Sequence, residues 1–223
     1  KGYVMRKQIG FTLIELMVTI ALMGIFAAFA LPAMNGFIDK QRTNSTVANY
    51  SNAITFARNE AVRLNVPVVV CGASISTAGQ LAGCANNTVK WTEGLFVYAD
   101  VNKDHAYNVS DGDLNLRVVQ SPNKPNAGSD KVTITSASSK NDSTSTAISS
   151  NPVFQFLPNG QVARFSGSNV IVADMYLKLK AASTSDAQKF TTSLMDPTGQ
   201  IIKCNNKVKS ANTGNKIATL CAN

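Results

Sequence analysis

Glu15 is the only charged residue between Phe11 and Ile38. The apolar run from Leu16 to Met34 that follows it is long enough to cross a bilayer. A charged side chain in lipid costs about 2.5–3.5 kcal/mol on insertion scales, so a carboxylate here calls for a function and a counter-charge. Upstream, Arg6 and Lys7 mark the cytoplasmic side under the positive-inside rule. A second set of candidate groups is Asp100-x-Asn102-x-Asp104, with Asp111 further on. Alternate oxygen side chains can converge on a calcium ion. Against that, His105 occupies the sixth position of such a loop, where glycine is wanted, and Asp111 at the twelfth reaches less far than a glutamate. Asx turns, whose carboxylates accept backbone N–H groups or meet Arg117, are the simpler reading. No metal is therefore expected; Asp100, Asn102, Asp104 and Asp111 are the set to examine for calcium.

The four cysteines pair most simply by spacing, Cys71 with Cys84 and Cys204 with Cys221, although three connectivities are formally open. Each bridge would close a short loop and contribute about 3 kcal/mol in the chain-entropy model. None of the spacings resembles a zinc site, and His105 is the only histidine. The serines lie in low-complexity runs without a nucleophile-elbow pattern, and there is no glycine-rich phosphate loop. An enzyme is not expected, and neither is a cofactor.

The elements that must position these groups follow from periodicity. The apolar run from Phe11 reads as a helix, and Asp39, Lys40 and Arg42 mark the return to water. Val47, Tyr50, Ile54, Ala57, Ala61 and Leu64 then recur at steps of three and four, one apolar stripe that Pro67 ends. A helix over 11–65 would be roughly 80 Å long, too long for an ordinary globular domain. Its first half fits lipid or a fibre core, and its second half must pack on the rest of the chain. Pro32 permits a kink. Beyond Pro67 come short β-like runs, among them 68–71, 95–98, 114–119 and 132–135. Pro158-Asn159-Gly160 between 153–157 and 161–165 is a hairpin signal, and further runs follow at 170–173, 175–180, 190–195 and 200–204. With no helical pattern between them, antiparallel sheets are expected. Residues 121–151, rich in Ser, Asn, Thr and Lys, include a long surface loop, solvated or used in partner recognition. The formal charge is +8 over 223 residues, and +5 without Lys1, Arg6 and Lys7. That permits polyanion binding without demanding it.

With Gly10 before Phe11-Thr12-Leu13-Ile14-Glu15 and an apolar helix, the N-terminus resembles the class III signal of type IV pilins and type II secretion pseudopilins. The resemblance implies cleavage between Gly10 and Phe11 by prepilin peptidase and N-methylation of Phe11. It also implies that Glu15 pairs with the N-terminus of a neighbouring subunit during assembly. Met5 reads as the natural start of the leader, with residues 1–4 an upstream extension. Trp91, Gly94, Phe96, Asp100, Asn102, Asp104, Asp111, Gly112, Asp113, Leu116 and Arg117 resemble the signature of the GspH/FimT family. Phe156, Pro158 and Gly160, and then Gly199 with Cys204, resemble two further elements of that family.

What this resemblance implies is an α+β lollipop: a long N-terminal helix, membrane-spanning in its first half, packed on an antiparallel β-rich head. The leader is 1–10, the transmembrane and assembly helix 11–38, its amphipathic half 39–66, and the periplasmic head 67–223. The function implied is that of a FimU-like minor pilin which primes or caps a pilus for adhesion, twitching motility or DNA uptake. Its partners would be other minor and major pilins, prepilin peptidase and the inner-membrane assembly platform. The alternatives are a type II secretion pseudopilin and a DNA-binding uptake pilin. Uptake pilins of the FimT type carry Gly-Arg-x-Arg where this chain has Gly199-Gln200-Ile201-Ile202. Lys203, Lys207, Lys209 and Lys216 could contact DNA phosphates, but they lack the planar fork of arginine and have no aromatic neighbour to stack bases. A solvated loop is the simpler reading of them.

Overall fold

The computed structural model describes residues 11–75, 81–84, 91–121, 132–140, 147–149, 152–166, 169–184, 188–204, 217, 220 and 221. One helix, α1, runs Leu13–Leu64. It ends where Asn65 takes a left-handed conformation (φ 57°), which asparagine tolerates better than most residues, and Pro67 follows. Contacts divide the chain into two units, Lys1–Ile38 and Asp39–Asn223.

In the first unit α1 is apolar all round, with Leu13, Leu16, Ile20, Met23 and Phe26 all exposed. Among the described residues no helix is long and apolar enough to cross a membrane. The sequence carries the uncharged run on through Phe29 to Met34, where most side chains lie outside the described set.

In the second unit the strands are β1 (Val68–Ile75), β2 (Leu81–Cys84), β3 (Gly94–Ala99), β4 (Leu114–Gln120), β5 (Val132–Lys140) and β6 (Ala147–Ser149). They continue with β7 (Phe154–Phe156), β8 (Val162–Ser166), β9 (Asn169–Val172), β10 (Met175–Ser183), β11 (Phe190–Met195) and β12 (Ile201–Lys203). One sheet has the order β4-β3-β1-β7-β8-β9, with β2 paired to β1; the other is β12-β11-β10-β5-β6. Their pairings are antiparallel, as the lack of crossover helices requires.

The second half of α1 packs on both sheets. Val47, Tyr50, Ile54, Ala57 and Ala61, four of them with Ala53 at 2% exposure or less, share one core with Val70, Val97, Phe154, Phe156, Leu177 and Met195. The predicted stripe is therefore the buried face, with Leu64 at its margin. The first sheet is covered on its other side as well. There Val69, Cys71, Ala73, Phe96 and Tyr98 are packed by Leu81, Tyr107 and Phe165. Cys71 is bonded to Cys84, and Cys204 to Cys221.

Within 121–151, the strand read at 132–135 runs on to Lys140, and a second short strand follows. β5 lies second from the edge in its sheet, and β6 flanks it. Along β5, Val132, Ile134, Ser136 and Ser138 are buried while Thr135 and Ala137 are exposed. This is period-two alternation in which serine replaces larger apolar residues, so hydropathy alone shows only its first half. Residues 122–131, 141–146, 150 and 151 lie outside the described set.

Candidate functional site

The start of α1 is set by Thr12. Its hydroxyl accepts the Glu15 amide at 3.3 Å, and its carbonyl accepts the Leu16 amide at 3.2 Å. Thr12 is thus the N-cap, and Glu15 sits in the first turn, where a negative charge is favoured by the helix dipole. Among the described residues no cation pairs with the Glu15 carboxylate. Phe11 is 86% exposed just outside the helix. The Gly10 side of the expected cleavage bond lies outside the described residues. The arrangement leaves an exposed Phe11 and one carboxylate on an otherwise apolar surface.

The second cluster of sequence motifs surrounds the link from β3 to β4. Trp91 is fully buried; its Nε1 donates to the Pro152 carbonyl at 3.1 Å, and its own carbonyl accepts from the Tyr50 hydroxyl at 2.9 Å. At Gly94 a Cβ would stand 2.6 Å from the Val119 carbonyl oxygen, so only glycine lets β3 and β4 approach this closely.

Beyond β3, the Asp100 amide donates to the Pro67 carbonyl. Asp100 Oδ2 accepts the His105 amide at 3.1 Å and lies 3.3 Å from His105 Nδ1. Asp113 accepts the Val101 amide at 3.0 Å and the Asn108 amide at 2.9 Å, one on each oxygen. Asp104 accepts the Ala106 amide, and Asn102 bonds it through both side-chain atoms. These amides, the largest influence among them that of Ala106, hold the Asp104 carboxyl below its ordinary range. The Tyr98 phenol is pushed up by burial first, then by the carboxylates of Asp100, Asp113 and Asp104.

Much of the expected Asx-turn network is present. Arg117 does not join it; its guanidinium lies over the Phe56 ring, 5.4 Å from the centroid. Oxygens of Asp100, Asp104 and Asp113 lie within 4.8 Å of one another. Asp111 is not in that group. It is held by Asn108 Nδ2 at 2.8 Å and by the Ser110 hydroxyl in a short 3₁₀ turn, Val109–Asp111. The calcium set read from spacing is corrected accordingly: the turn carries Asp111 away, and Asp113, anchored by two amides, takes the place assigned to it.

At the C-terminal end, Lys203 Nζ donates to Asn44 Oδ1 at 3.2 Å, and Thr191 bonds the same oxygen at 2.9 Å. Lys207, Lys209 and Lys216 lie outside the described residues. Sequence reasoning missed Arg58. Its Nε donates to the Gly160 carbonyl at 3.0 Å, and a Cβ on Gly199 would lie 3.6 Å from its Cδ. Two turn glycines far apart in sequence thus meet at one side chain of α1. Only pairing the two turns in space would have found it.

Residues 46–193, more than half of the chain, match the sequence profile of the family described as type II transport protein GspH. Residues 5–31 match the prokaryotic N-terminal methylation motif. Fimbrial protein Q of Moraxella bovis is 56% identical over 43 residues, 19% of this chain and 27% of that protein. The type IV major fimbrial protein FimA of Dichelobacter nodosus is 51% identical over 41 residues, 18% of this chain and 26% of that protein. The chain thus spans only about a quarter of the length of these curated relatives. A crystal structure of the Pseudomonas aeruginosa type IV minor pilin FimU overlays 75% of this chain and 91% of that one, with 11% identity and a TM-score of 0.44.

Proposed function

We propose, because this chain belongs to the family of the type II transport protein GspH, that it works as a minor type IV pilin. The observation that carries this is the first half of α1, apolar on every side and charged only at Glu15. Such a surface is stable in lipid or against the like surface of other subunits, not in water. Segment 11–38 is held in the inner membrane, with Arg6 and Lys7 on the cytoplasmic side and the head outside, where disulfides persist. Prepilin peptidase cuts between Gly10 and Phe11, and N-methylation leaves the new amine positive. Glu15 then offsets the N-terminal charge of an adjacent subunit, an attraction that strengthens as the dielectric falls. The subunit passes from the assembly platform into a small complex of minor pilins that primes or caps the fibre.

Glu15→Ala tests this directly. Processing should persist, seen as a mature chain beginning at Phe11 by mass spectrometry, while the amount of the protein in sheared fibres falls sharply. Wild-type incorporation by the alanine variant would overturn the reading. One observation favours a second reading: the family takes its name from type II transport, where the same assembly would build a secretion pseudopilus. A deletion that abolishes secretion and leaves pili in normal number would select it.

A further inference from the structure

The link between β3 and β4 gathers three carboxylates that fibre assembly does not use. Two oxygens bound to one calcium ion at about 2.4 Å can be no more than about 4.8 Å apart, and oxygens of Asp100, Asp104 and Asp113 meet that limit together. Asp100 and Asp113 are buried and Asp104 is exposed, so the group is anchored in the protein and open to solvent on one side. Backbone amides answer both oxygens of Asp113 but only Oδ2 of Asp100. Oδ1 of Asp100, a fully buried side chain, meets no donor among the described residues. Neither does the hydroxyl of Tyr98, also fully buried. A buried charged acceptor left without a partner is costly, and three like charges at this range repel. His105, with Nδ1 3.3 Å from Asp100 Oδ2, could offset at most one of them.

We propose that this loop is a calcium site in which Asp100, Asp104 and Asp113 supply carboxylate oxygens and water enters beside Asp104. Calcium takes six to eight oxygens in flexible geometry, so three carboxylates with water and nearby carbonyls suffice. The ion would fasten the end of β3 to the start of β4 across the loop.

The test uses the full chain in detergent, stripped with EDTA and titrated with calcium or magnesium chloride. Calcium at a hundredfold above its Kd should raise Tm by about 5 °C or more. Terbium bound in its place should luminesce on tyrosine excitation, and calcium should quench that emission by displacing it. Asp104→Asn keeps an acceptor for the Ala106 amide and should weaken calcium binding about tenfold or more. Asp111→Asn removes the same charge from the same loop, outside the cluster, and should leave the Kd unchanged. Three results would each overturn the proposal: no Tm shift and no terbium emission at millimolar metal, equal weakening in both variants, or an equal response to magnesium.

Discussion

The guanidinium of Arg58 serves two turns at once, bonding the Gly160 carbonyl and packing its stem beside Gly199. Arg58→Ala would leave that buried carbonyl short of a donor, and a loss of about 1–3 kcal/mol is expected in denaturant melts. Gly199 has φ +81°, and a Cβ there would stand 3.1 Å from a Phe156 ring carbon. Gly199→Ala should cost about 1–3 kcal/mol through backbone strain alone. Two tyrosines set the alkaline limit. Burial raises the pKa of Tyr50 and of Tyr98 above the ordinary value of 10.0. A phenol raised in the folded state leaves stability intact below the unfolded pKa and erodes it above. Between that value and the folded pKa, each should remove about 1.4 kcal/mol per pH unit. A melting series from pH 8 to 11.5 checks this: Tm should be flat below about pH 10 and fall above it, with a shallower fall in Tyr98→Phe.

At the scale of elements, α1 is two helices in one. Its second half can lie close to both sheets because small residues recur on the buried face, with Ala53, Ala57 and Ala61 all at 0% exposure. Ala57→Leu should therefore lower stability by about 1–3 kcal/mol through overpacking, measured by thermal or denaturant melting. This stripe was legible in the sequence because a step of three and four is a property of the local chain. So were the antiparallel pairing, most of the strands other than β2 and β6, and the turn at Gly160. The second half of β5 was not, because Ser136 and Ser138 fill inner positions that hydropathy reads as surface. The acidic loop was legible in composition but not in detail: spacing treated it as a continuous twelve-residue coil, whereas the 3₁₀ turn after Asn108 removes Asp111 and brings in Asp113. Arg58 could not be read at all, since its partners are separated from it by 102 and more residues.

For the molecule as a whole, the bridges staple both ends of the β-rich unit. Cys71–Cys84 ties β1 to β2, and Cys204–Cys221 holds the last described residues to the end of β12. Replacing Cys71 and Cys84 together by serine should cost about 3 kcal/mol in an oxidised denaturant melt, and dithiothreitol should produce a loss at least as large in the parent protein. The topology also dictates a schedule. β1 leaves the ribosome first among the strands; β2 and β3, two of its partners, follow closely, but the third, β7, comes some eighty residues later. Arg58, earlier still, waits for Gly160 and then for Gly199. As the chain emerges N-terminus first, β1 thus gains β2 and β3 early but keeps the edge that β7 will cover open for some eighty residues. Folding of this unit therefore depends on the last third of the chain, and a late frameshift should leave a sticky, protease-sensitive product instead of a shorter working subunit.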